Sequence, residues 1–80
     1  MKSESEIIDK LKQAVNNANS FFENLNPGQV LESITVTGIV NSVDGLTRQE
    51  VVYGILALHG KGEVEYDGDE KVILRKEFYK

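Results

Sequence analysis

The chain has no cysteine and a single histidine, His59. The first absence excludes disulfides, thiolate metal sites and a cysteine nucleophile, and suits a reducing compartment. The second excludes a metal site built on paired imidazoles. No apolar run approaches membrane-spanning length, and Met1-Lys2-Ser3-Glu4-Ser5-Glu6 lacks the apolar segment of a secretory signal. The expected setting is therefore cytoplasmic, away from any membrane. Positive charge is also scarce: 9 basic residues face 13 acidic ones, for a net charge of −4 and a pI near 4.9. A chain of that sign is repelled on average by DNA, RNA and anionic lipid, so nucleic-acid binding requires a local basic face.

What is present fits one domain, 1–80, without repeats or low-complexity segments. Residues 3–25 form a long amphipathic helix. Ile7, Ile8, Leu11, Ala14, Val15, Ala18, Phe21, Phe22 and Leu25 recur at three- and four-residue spacing and fall on one stripe. Ser3 with Glu6 makes a capping box, Glu4 and Glu6 suit the positive end of the helix dipole, and Asn24-Leu25-Asn26-Pro27-Gly28 ends the helix. The opposite face, with Lys10, Lys12, Gln13, Asn16, Asn17 and Asn19, reads as solvated.

Residues 29–43 mix two signals. Val30, Ile34, Thr35, Val36, Thr37, Ile39 and Val40 are β-branched, as in strands, while Thr37 as N-cap and Ile39, Val40 and Val43 at helical spacing suit a helix. Both hold if a short strand at Ile34-Thr35 precedes a helix from Thr37 to Val43, in which Gly38 costs roughly 1 kcal/mol against Ala. After the break at Asp44-Gly45, Thr47-Arg48-Gln49-Glu50 is a second capping box. Val51, Gly54, Ile55 and Leu58 share one face of the helix that follows, and Gly60 and Gly62 end it. Val64 and Tyr66, then Val72, Leu74 and Phe78, alternate toward the core. Asp67-Gly68 between them is a two-residue hairpin signal.

This order of elements over Ile34–Leu74 resembles the winged helix-turn-helix family. The resemblance implies an α+β fold of three helices with a small antiparallel hairpin wing. The long helix would occupy 3–25, the helix-turn-helix 34–62, and the wing and tail 63–78. It also implies that the last helix reads the DNA major groove through its N-terminal residues while the wing touches phosphate. On this chain those residues are Thr47, Arg48 and Gln49, with Tyr53 one turn on, and Lys61, Lys71, Arg75 and Lys76 are candidates for phosphate. Arg and Gln can make paired hydrogen bonds to guanine and adenine.

Two features depart from that pattern. The hairpin tip is acidic (Asp67, Asp69, Glu70), and the outward helix face continues as apolar Val52, Tyr53 and Leu56. With Phe78 and Tyr79, these form a candidate protein interface. The expectation is a small non-catalytic DNA-binding, transcription-regulator-type protein; the alternative is an acidic protein-interaction module acting as adaptor, inhibitor or assembly subunit. No enzyme activity, cofactor, metal or small-molecule substrate is expected. His59 at a helix end reads as solvated, the acidic run lacks calcium-loop spacing, and Gly60-Lys61-Gly62 lacks the rest of a phosphate loop. A core this small stabilises a fold only marginally, which favours a homodimer formed through the long helix or the tail.

Overall fold

The computed structural model describes residues 2–79. In chain order it has α1 (Glu4–Leu25), β1 (Ser33–Thr35), α2 (Val36–Ser42), α3 (Arg48–Gly60), β2 (Val64–Tyr66) and β3 (Lys71–Leu74), closed by a 3-10 turn at Lys76–Tyr79. The result is an α+β fold in which three helices pack against a three-stranded antiparallel sheet of order β1-β3-β2. This arrangement is compatible with the expected winged helix-turn-helix. Among the described residues, no helix is long and apolar enough to cross a membrane.

One core holds it together. Ile7, Leu11, Ala14 and Val15 from α1 meet Val36 and Ile39 from α2, then Val51, Ile55 and Leu58 from α3, all buried. Val64, Val72 and Leu74 close the core from the inner sheet face. Each large side chain removed from water in this way contributes about 1.5–3 kcal/mol. Gly54 sets the approach of α1 to α3: a Cβ there would sit 2.9 Å from Leu11 Cδ1 and 3.0 Å from Ile7 Cγ2. Only a residue without a side chain lets the two helices come this close.

The stripe on α1 packs for only part of its length. Beyond Val15, Ala18 and Phe22 are half-buried, and Phe21 and Leu25 are about two-thirds exposed, because the helix end overhangs the core. Its polar face is less solvated than expected. The Asn17 side chain donates to the Ser42 carbonyl at 3.2 Å, and Asn19 Oδ1 accepts the Leu31 N–H at 2.7 Å. Lys12 pairs with Glu63 at 3.3 Å and lies over the Phe78 ring.

The helix of 36–42 is capped two residues earlier than the spacing predicts. Its N-cap is Thr35, whose hydroxyl accepts the Gly38 N–H at 2.9 Å. Thr37 is instead held by the Glu70 carboxylate, which accepts from its N–H at 3.1 Å and its hydroxyl at 2.9 Å. A tertiary partner thus displaced the local choice of cap. The hairpin turn is also longer than two residues, since Asp67–Glu70 all lie between the strands. Asp67 Oδ1 accepts the N–H groups of Asp69 (2.8 Å) and Lys71 (3.2 Å), while Gly68 supplies a φ of +90°. A side chain that bonds its own backbone in this way supports a wider turn.

β1 pairs with residues 71–73 of the four-residue β3, so the hairpin projects past the sheet only by its loop. That loop is anchored as well: the Val36 N–H donates to the Glu70 carbonyl at 2.8 Å. Phe78, read both as core-facing and as an interface candidate, is 4% exposed and belongs to the core. The tail folds back onto α1, and Tyr79 donates its hydroxyl to the Leu31 carbonyl at 2.6 Å. Burial pushes the Tyr79 phenol above its usual range.

Candidate interaction site on the third helix

α3 begins as its local chemistry demands. Thr47 Oγ1 accepts the Glu50 N–H at 3.2 Å, and Glu50 Oε1 accepts the Thr47 N–H at 2.9 Å, so the capping box is complete. Lys2 reaches the same carboxylate at 3.2 Å. The Thr47 N–H, and then Lys2, hold the Glu50 carboxyl below its usual range against the opposing effect of burial. This cap fixes the rotation of α3. Val51, Gly54, Ile55 and Leu58 point into the core, which leaves Arg48, Gln49, Tyr53 and Leu56 outward with Val52 half-buried beside them.

The outward surface has a polar end and an apolar body. Tyr53 and Leu56 are 52% and 54% exposed. Arg48, Gln49, Val52, Tyr53 and Leu56 line one shallow depression, and Lys2, Ile7, Gln49, Glu50 and Tyr53 line a second. The Tyr53 ring therefore stands as a ridge between two hollows.

Arg48 is occupied. Its guanidinium ion-pairs with Glu70 and donates to Thr37 Oγ1 at 3.2 Å. The Thr37 hydroxyl in turn donates to Glu70. This small ring of bonds joins the starts of α2 and α3 to the hairpin loop. The residue with the best chemistry for guanine is thereby turned toward a carboxylate of its own chain.

The other phosphate candidates do not form a stripe with Arg48. Lys61 lies past the far end of α3, about 20 Å along the axis at 1.5 Å per residue. Arg75 and Lys76 lie near that end too: the Arg75 N–H donates to the Glu63 carbonyl, and the Arg75 side chain pairs with Glu77 at 3.5 Å. Lys71 is exposed on the outer sheet face, opposite Thr35 and beside the acidic loop. Basic residues are thus split between the two ends of α3, with carboxylates at each end. His59 sets Nδ1 at 3.2 Å from the Val64 carbonyl, bracing the exit from α3. Among the described residues, no three His, Cys, Asp or Glu side chains cluster as a metal site.

Thr47, Arg48, Gln49, Tyr53, Val52 and Leu56 are therefore brought together on one surface, whereas Lys61, Arg75, Lys76, Phe78 and Tyr79 are placed elsewhere. Sequence reasoning missed Glu70 and Thr37 as members of this site. The only available signal was an acidic residue at the end of a turn, too general to single either out. Comparison with protein families, curated proteins and solved structures finds no match to this chain.

Proposed function

We propose that the chain is a winged helix-turn-helix domain that binds a protein through the outward face of α3, as an adaptor, inhibitor or assembly subunit. One observation carries this reading. Arg48 is engaged by Glu70 and Thr37, and the face beyond it consists of Val52, Tyr53 and Leu56. Aromatic and aliphatic side chains that stand out of a shallow surface are the usual anchors of protein interfaces. The acidic residues around them, Glu50, Glu70 and the hairpin loop, suit a partner whose apolar surface is ringed by Lys and Arg.

The second reading is a DNA-binding, transcription-regulator-type domain. It rests on the exposure of Arg48 and Gln49 at the N-terminal end of α3. The Arg48–Glu70 pair is half exposed, and pairs of that kind contribute only about 0–1 kcal/mol, which a phosphate could outbid.

Two measurements separate these readings. Anisotropy titration with random-sequence duplex DNA at low salt should show no binding tighter than about 10⁻⁴ M, the weak end of non-specific association. Affinity capture on the immobilised protein should enrich a protein that Leu56→Glu loses and a substitution on the outer sheet face, Ile73→Ser, retains. Micromolar duplex binding that weakens in Arg48→Ala would overturn the protein reading and establish the second.

A further inference from the structure

We propose that the overhanging end of α1 is a self-association surface and that its occupant is a second copy of this chain. This inference is independent of the proposed role of α3. The first half of α1 spends its apolar stripe on the core, but after Val15 the helix runs ten residues further, roughly 15 Å. Phe21, Leu25 and Val30 stand 69%, 68% and 55% exposed there. Phe21 and Leu25 are one helical turn apart and so present a single ridge.

The chemistry around this ridge identifies the occupant. From Gln13 to Leu31 the only charged residue is Glu23, although the whole chain has 22. Two copies, each of net charge −4, repel one another least when they meet through this neutral stretch. Its rim includes exposed amides, Asn24 and Gln29. An amide carries both donor and acceptor, so an identical surface across a two-fold axis can satisfy it, whereas a rim of like charge cannot satisfy its own copy. On the α3 face Arg48 is already paired with Glu70 and donates to Thr37, so the border left to a second copy is acidic and lacks this self-complementarity.

The area is sufficient. The chain exposes 5092 Å² in all. The stretch is about a quarter of its residues, so one side of it presents on the order of 600 Å², which reaches the roughly 1,200 Å² total of a small stable interface.

Sedimentation equilibrium of the full chain, from roughly 1 µM to 1 mM, should show a monomer–dimer equilibrium that added salt leaves unchanged or tightens. Phe21→Glu and Leu25→Glu should each weaken dimerisation at least roughly 100-fold, because each dimer loses the anchor twice. Phe21→Leu should retain it. Circular dichroism establishes that the variants are folded; if either is not, Asn24→Glu, on the exposed rim, replaces it with the same expected loss. A monomer throughout the range, a dimer indifferent to these charges, or a dimer dissolved by Leu56→Glu would overturn the proposal.

Discussion

The inward and outward faces of α3 are both rich in apolar side chains, yet one is sealed and the other open. Val51, Ile55 and Leu58 have no measurable exposure, while Tyr53 and Leu56, each one residue from a buried position, are more than half exposed. Hydrophobicity does not separate the two faces. The difference comes from their neighbours: Gly54 admits α1 on the inward side, and no element of the described chain lies over the outward side. The inward face therefore fixes stability, and the outward face is the surface proposed for recognition.

The sharpest way to break this division is to cut into the inward face. Leu58→Ala should lower unfolding free energy by about 2–5 kcal/mol, enough to unfold a domain of this size at room temperature. Urea denaturation followed by circular dichroism measures it. A loss under ~1 kcal/mol would mean that the inward face does not carry the core.

Gly54→Val should cost less, about 1–3 kcal/mol, by pushing methyl groups into Leu11 and Ile7. The sign is informative, because Gly in mid-helix is intrinsically unfavourable by roughly 1 kcal/mol. Net stabilisation in the thermal melt would show that α1 can retreat and that the close crossing is not needed.

How far these faces were legible in the sequence depended on the range of the interactions. The Thr47–Glu50 capping box lies within four residues, and the structure contains it as the spacing predicts. The stripe on α1 has the right period throughout, but periodicity gives a direction and not a length of contact. Phe21 and Leu25 keep the pattern and still find nothing to pack against. Thr37 and Thr35 are equivalent caps by local chemistry, and the choice fell to Glu70, 33 residues from Thr37. The same distant carboxylate decides the environment of Arg48. Phe78 looked surplus because Lys12, which lies over its ring, is 66 residues earlier.

The cap at the start of α3 sets the rotation of both faces, and its expected effects are smaller. Thr47→Ala should destabilise by about 1 kcal/mol, read as a shift in urea midpoint at unchanged slope. The partner carboxylate supplies a pH dependence with a defined sign. The folded protein holds Glu50 below its ordinary value of 4.5, chiefly through the Thr47 N–H, so folding favours the ionised form. Its stabilising effect is present above the unfolded pKa and is lost as pH falls through the folded one. The melting-temperature gap between wild type and Glu50→Gln should accordingly be widest near neutral pH and close in acid. A gap that widens in acid would have the wrong sign for this cap.

The smallest expected effect on stability lies on the outward face, where a null result carries the most meaning. Leu56→Ser removes an apolar side chain as large as that of Leu58, but one already 54% exposed. Little burial is forfeited and no closed cavity forms, so stability should move by no more than ~0.5 kcal/mol in either direction. The serine hydroxyl will find water and adds no desolvation cost. Removal of an exposed apolar group should also make the protein more soluble, measurable as a higher precipitation threshold in ammonium sulfate. A loss approaching that of Leu58→Ala would mean that Leu56 is covered in solution, by another molecule or by a rearranged helix, and the division between the two faces of α3 would fail. An unchanged urea midpoint, with solubility raised, would leave Leu56 as an exposed apolar side chain that the fold does not need, as the proposed interface requires.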